Sequence, residues 1–118
     1  MIIMDITIYH NPRCSNSRNA LAAIREAGHE PRIVDYLATP PSREELVRML
    51  AASGLRARDA VRSKESLYTE LGLGAEGVSE DALIDAMLAH PVLLNRPFVV
   101  TPKGVRLCRP PETVHEII

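Results

Sequence analysis

Ile6-Thr-Ile-Tyr-His10-Asn-Pro-Arg-Cys14-Ser-Asn-Ser17-Arg18 is the stretch that decides how this chain reads. Its first half is apolar and β-branched, as a strand requires. Asn11-Pro12 breaks it, since that pair initiates turns. Cys14 follows, and an Ala-rich amphipathic segment then predicts a helix from about Ser15 to Ala27. Cys14 therefore falls at or just before the first helical turn. The first N–H groups of a helix have no intrahelical partner and carry the positive end of the macrodipole. Both favour a thiolate, which is the nucleophilic form of cysteine. The same N–H groups can hold an anion. A lone cysteine more often only packs, but Arg13, Ser15, Asn16, Ser17 and Arg18 give this one the polar surroundings of a partly exposed reactive thiol.

Outward from that stretch, Met4, Ile6 and Ile8 alternate with Asp5, Thr7 and Tyr9 in strand fashion. Gly28 is placed to stop the first helix, and Arg32 to Leu37 reads as a second apolar strand. Strand, helix and strand at this spacing predict a right-handed βαβ unit with parallel strands. Ser42-Arg-Glu-Glu45 has capping-box spacing ahead of Leu46, Met49 and Leu50. Short helices are expected over Arg56–Arg62 and Ser66–Leu71, and a longer one from the cap at Ser79 through Ala89. Phe98–Thr101 and Val105–Arg109 read as a hairpin around Pro102-Lys103-Gly104. Glu112–Ile118 is expected to be a last helix with Val114, Ile117 and Ile118 inward. A βαβ unit followed by a ββα unit is the layout of the α/β thioredoxin-like fold. Here it would form one domain over residues 1–118 with a helical insertion at roughly 42–90 between the halves. In that fold the reactive cysteine begins the first helix, and a cis proline opens the third strand opposite it. Pro97 occupies that position, so a cis Arg96–Pro97 bond is expected.

The 118 residues suffice for one domain, and their 46% hydrophobic content supplies a core. With one Phe, three Tyr and no Trp, that core must be aliphatic. A net charge of -1 gives no global basic field for nucleic acid. Met1 to Asp5 lacks the features of a signal peptide, and no apolar run is long enough to span a bilayer. Two cysteines far apart make neither a disulfide framework nor a zinc pattern. A reduced, cytoplasmic protein is the expectation.

Ser17, not a second cysteine, stands three residues after Cys14. A C-x-x-C pair can resolve its own intermediate as an internal disulfide, and C-x-x-S cannot. Cys108 is the only other internal thiol, and it reads as a packing residue. Arg62, Arg96 and Arg109 each sit at an element boundary, where guanidinium groups can bind a tetrahedral oxyanion through paired hydrogen bonds. Spacing alone does not single them out from the other arginines. His10 can stabilise the thiolate or shuttle a proton, or it can be an ordinary turn residue. Ser17 can donate to the sulfur or simply belong to the first helical turn. His29, His90 and His115 form no metal-ligand group, and there is no P-loop and no phosphatase C-x5-R loop.

Four ordered motifs resemble the glutaredoxin-coupled arsenate reductases. They are Ile8-Tyr-His-Asn-Pro-Arg-Cys14-Ser-Asn-Ser17-Arg18, Tyr36-Leu-Ala-Thr-Pro-Pro-Ser42-Arg, His90-Pro-Val-Leu-Leu-Asn-Arg96-Pro97 and Val100-Thr-Pro-Lys-Gly-Val-Arg-Leu-Cys-Arg109-Pro. The resemblance covers essentially the whole chain. It implies that Cys14 attacks arsenate, that glutathione acts as co-substrate at the resulting adduct, and that glutaredoxin reduces the mixed disulfide as arsenite leaves. It also implies that Arg62, Arg96 and Arg109 bind the anion and that His10, Ser17 and Pro97 support the site. No bound cofactor or metal is implied. Neither nucleic acid nor membrane is an expected partner, and a monomer is expected. Well-characterised members carry a further segment beyond the position of Ile118, which bears on efficiency and partner docking more than on chemistry.

Two other functions suit the same residues: a glutathione-dependent thiol oxidoreductase with another substrate, and a non-enzymatic RNA polymerase-binding regulator of the same fold. The regulator branch often uses a C-x-x-C switch, which is absent here. Three arginines at element ends favour an oxyanion substrate.

Overall fold

The computed structural model describes residues 4–118. Met1, Ile2 and Ile3, which enter the reading of the N-terminus above, lie outside the described residues. The chain divides into two compact units, one formed by residues up to Thr39 together with Arg96–Ile118 and the other by Pro40–Asn95.

The first unit is built on a four-stranded sheet. Thr7–His10 (β1) pairs in parallel with Arg32–Asp35 (β2) and antiparallel with Phe98–Thr101 (β3). β3 in turn pairs antiparallel with Gly104–Leu107 (β4), giving the order β2-β1-β3-β4. The crossover from β1 to β2 is the helix Ser15–Glu26 (α1). This is the βαβ-plus-ββα arrangement expected from the sequence. Ile6, Ile8 and Val99 pack with Ala20, Leu21 and Ile24 of α1 and with Cys108, Val114 and Ile117. Fully burying each large aliphatic side chain contributes about 1.5–3 kcal/mol. Ile24→Ala would therefore cost about 2–5 kcal/mol, once the cavity left behind is included.

The buried positions of α1 are Ser17, Ala20, Leu21 and Ile24. Their i, i+3, i+4, i+7 spacing is the apolar stripe of an amphipathic helix. Ser17 thus lies on the core-facing side, and a hydroxyl there must find a partner inside the protein. The helix ends in a Schellman motif: Gly28 has φ +90°, its N–H reaches the Arg25 carbonyl at 3.0 Å, and the His29 N–H reaches Ile24 at 3.2 Å.

Several expectations need adjusting in detail. The second strand stops at Asp35 rather than Leu37, because the Asp35 carboxylate accepts from the Leu37 N–H at 3.1 Å and turns the chain. It is an edge strand, exposed at Arg32, Ile33 and Asp35. The last helix is a 3-10 segment over Pro111–Glu116, not an α-helix over Glu112–Ile118. It starts on a proline and is only a few residues long, which suits i→i+3 bonding such as Ile117 N–H to the Val114 carbonyl at 3.1 Å. Val114 and Ile117 are buried as expected, and Ile118 is half-buried.

The second unit is helical: Arg43–Ser53 (α2), Ala57–Ala60 (α3), Ser66–Glu70 (α4), Glu80–Ala89 (α5) and a 3-10 turn at Pro91–Leu93. The capping box at Ser42 forms as its sequence predicts, with the Ser42 hydroxyl accepting from Glu45 N–H and the Glu45 carboxylate accepting from Ser42 N–H. Leu46, Met49 and Leu50 of α2 and Leu83, Ile84 and Met87 of α5 are the buried residues of those two helices, which pack on each other. Arg43 clamps Asp81 at 2.8 Å and also pairs with Asp85. The short helix expected to reach Arg62 ends at Ala60, because Val61 bridges Leu94 and the Arg62 N–H bonds the Leu93 carbonyl. Among the described residues no helix is long and apolar enough to cross a membrane.

Candidate active site

Cys14 is the N-cap of α1, with extended backbone angles of φ -95° and ψ 122°. Its own N–H donates to the Asn11 carbonyl at 3.0 Å, and its carbonyl accepts from Arg18 N–H at 3.0 Å, so the loop closes directly into the helix. Cys14 is half-buried. The neutral thiol makes no formal cap hydrogen bond, yet the amides of Ser17 and Asn16 face the sulfur closely enough to favour its ionised form.

Two arginines complete the surroundings of the sulfur. Arg109 Nη1 lies 3.7 Å from Cys14 Sγ and donates to the Arg96 carbonyl at 2.9 Å. The buried guanidinium of Arg96 also lies close enough to the sulfur to favour its ionised form. Burial by itself would push the Cys14 thiol up. The Ser17 amide, then Arg96, Arg109 and the Asn16 amide outweigh it, and the thiol sits below its ordinary value. The result is a partly exposed, electropositive thiol of the kind that reacts as a thiolate. Both arginines precede a proline in a cis peptide bond: Arg96–Pro97, as expected, and Arg109–Pro110, which was not anticipated.

His10 and Ser17 are joined to each other. His10 Nδ1 lies 2.6 Å from Ser17 Oγ, and that same oxygen accepts from the Asn11 N–H at 3.0 Å. The serine hydroxyl is therefore committed to the turn, and it is the serine backbone N–H that serves the sulfur. Burial, followed by the charge of Arg25, lowers the His10 imidazole below its ordinary value, against the opposing pull of Asp35. A neutral ring shares one proton with the Ser17 hydroxyl.

Asn11 does more than break the strand. Its side-chain oxygen accepts from Arg13 N–H at 3.0 Å and its amide donates to Tyr36 Oη at 3.4 Å. An Asx turn ahead of proline is the signal that would have found it, since Asn bonds its own backbone two residues on.

Cys108 is fully buried in the core of the sheet unit, where its S–H points to the Arg106 carbonyl at 3.7 Å. Burial, with help from Glu116, pushes its thiol up to about 12. It is an inert packing residue, as its sequence setting implied. Arg62 belongs to the helical unit, where Nε pairs with Glu65 at 3.1 Å. Among the described residues no group of three or more His, Cys, Asp or Glu side chains is disposed to hold a metal ion.

The ArsC family model matches residues 9–117. The chain is 58% identical over 115 residues to an arsenate reductase of Rhizobium meliloti (strain 1021), covering 98% of this chain and 82% of the relative. It is 54% identical over 114 residues to an arsenate reductase of Escherichia coli (strain K12), covering 97% and 81%. Among solved structures, an arsenate reductase from Vibrio cholerae superposes with a TM-score of 0.95 at 47% identity, covering 99% of this chain and all of that one.

Proposed function

The chain belongs to the ArsC family, and on that premise we propose that it is an arsenate reductase that draws its electrons from glutathione and glutaredoxin. The observation that carries the reading is the sulfur of Cys14, held at a helix N-terminus with Arg109 Nη1 at 3.7 Å and Arg96 also close to it. A dianionic tetrahedral substrate needs that positive charge, and the nucleophile needs it to ionise.

The chemistry balances with one protein thiol. The Cys14 thiolate attacks arsenic, an S–As bond forms, and one arsenate oxygen leaves as water after protonation. A glutathione thiolate then attacks the Cys14 sulfur. An S–S bond forms as the S–As bond breaks, and the bonding pair stays on arsenic, taking it from As(V) to As(III). Arsenite departs, and a glutaredoxin thiol reduces the Cys14–glutathione disulfide. An external thiol is needed because Cys108 is locked in the core. Arg96 and Arg109 bind the oxyanion and stabilise the thiolate. The family resemblance adds Arg62 to the oxyanion ligands. His10 and Ser17 fix the turn that presents the cysteine. Reliance on glutathione calls for a reducing compartment, the cytoplasm.

A coupled assay tests this: arsenate, glutathione, glutaredoxin and glutathione reductase, followed by NADPH oxidation. The expected result is turnover that requires arsenate. Turnover with disulfide substrates alone would replace this reading by that of a general thiol oxidoreductase. Absence of turnover together with capture of RNA polymerase would replace it by the regulator.

A further inference from the structure

Arg109 makes its protein contacts through one edge of the guanidinium. Nη1 donates to the Arg96 carbonyl at 2.9 Å and faces Cys14 Sγ at 3.7 Å. Asn16, half-buried in the first turn of α1, lies against the end of the same group. With its amide oxygen towards Arg109 it accepts from Nη2 at 3.2 Å and from Nη1 at 3.3 Å. The opposite orientation would set its NH2 against guanidinium donors, which have no acceptor to offer. Nε and the second Nη2 hydrogen have no partner among the described residues. Both lie on the guanidinium edge opposite Nη1, so it is the Nη1 side that the protein aims at the sulfur.

From this geometry we infer that Asn16 is a positioning residue for the oxyanion: it holds the end of the Arg109 guanidinium so that Nη1 stays beside Cys14, where the anion must react. The inference rests on the reading of the site as an oxyanion site. Arg109 carries a long side chain with several rotatable bonds, and a free guanidinium must lose that freedom each time it binds. Asn16 and the Arg96 carbonyl remove it in advance. Asn16 also contributes its backbone amide to the sulfur, and substitution of the side chain leaves that amide in place.

The test uses the full chain and reads anion binding without turnover. Arsenate bound beside Cys14 shields it from iodoacetamide, so the alkylation rate against arsenate concentration gives an apparent Kd. Asn16→Ala is expected to weaken that protection by about tenfold or more, the worth of a hydrogen bond to a charged group, with no change in melting temperature. In an Arg109→Lys background, where no planar group remains to be aligned, Asn16→Ala is expected to add less than about twofold. Undiminished protection in Asn16→Ala, or an equal loss in both backgrounds, would overturn the inference. A wild-type protein with no arsenate protection would overturn it as well. Protection without arsenate-dependent turnover in the coupled assay would remove the reductase reading and leave the role of Asn16 decided by the variants.

Discussion

Arg109 and Cys14 are separated by 95 residues, and a guanidinium nitrogen of the one lies 3.7 Å from the sulfur of the other. The fold makes this meeting: Cys14 closes the loop after β1, and Arg109 follows β4, two strands across the same sheet. Cys14 stands out in the sequence, but spacing does not single out Arg109 from the other arginines. Their juxtaposition turns a thiol at a helix start into an anion-binding nucleophile.

Removing either arginine should therefore change the ionisation of Cys14. Arg109→Ala and Arg96→Ala each take away a cation that favours the thiolate while burial continues to oppose it. The pH profile of iodoacetamide alkylation is expected to move to higher pH in both variants. Arsenate turnover is expected to fall by about tenfold or more, given the strength of charge-assisted hydrogen bonds. A profile that stays where it is in both variants would show that the helix amides act alone.

The two cysteines should separate cleanly. Cys14→Ser is expected to abolish arsenate turnover while leaving the fold intact, since a serine hydroxyl is a far weaker nucleophile at neutral pH. Cys108→Ala is expected to keep most activity. One thiol should react rapidly with a disulfide reagent in the native protein and a second only in denaturant. Because the folded Cys108 thiol sits at about 12 while an unfolded one ionises near its ordinary value of 9.0, folding keeps a proton that the unfolded chain loses. That contribution to stability is present below pH 9 and is lost as pH rises towards 12. Cys108→Ala should flatten the alkaline decline in urea midpoint. Comparable inactivation of both variants would point to an internal disulfide instead.

Ser17 offers a stability test of the turn. Ser17→Ala removes the acceptor of the Asn11 N–H at 3.0 Å and the partner of His10 at 2.6 Å. A buried N–H left without an acceptor costs about 1–3 kcal/mol. Urea unfolding should show a loss in that range, and Ser17→Thr, which retains a hydroxyl, should recover part of it. A fully stable Ser17→Ala protein would mean that water replaces the hydroxyl.

The sequence made the order of strands and helices along the chain and the place of Cys14 legible because both follow from local signals: alternation, a helix start after Asn-Pro, and a hairpin turn. Ser17 was legible only in part. Its spacing with Ala20, Leu21 and Ile24 marks it as core-facing, which predicts a committed hydroxyl rather than one free to serve the sulfur. Asn16 was not legible, because its partner is 93 positions away, on Arg109, and no periodicity connects them. Arg96 and Arg109 were legible as arginines at element ends. What selected them over the other arginines in the chain was tertiary contact with the sulfur. The extent of β2 was misjudged because an apolar run does not reveal that Asp35 will bend back onto the Leu37 N–H.

His10 gives the last prediction, and its sign follows from its surroundings. Burial and then the charge of Arg25, with a smaller push from Arg18, lower the folded imidazole below its ordinary value of 6.5, and Asp35 only partly offsets them. Just below pH 6.5 the unfolded chain then binds a proton that the folded chain refuses. Stability from this group is complete above that pH and declines as pH falls through the folded value. Protonation also puts a second N–H on a ring already bonded to Ser17 at 2.6 Å, in a site with two arginine charges acting on it. The expected outcome is a wild-type urea midpoint that drops between about pH 7.5 and pH 5 more steeply than that of His10→Gln, which cannot titrate. Carboxylates common to both proteins cancel in the comparison. Parallel pH profiles for the two proteins, or a steeper fall in His10→Gln, would show that the imidazole does not carry the acid sensitivity of the turn.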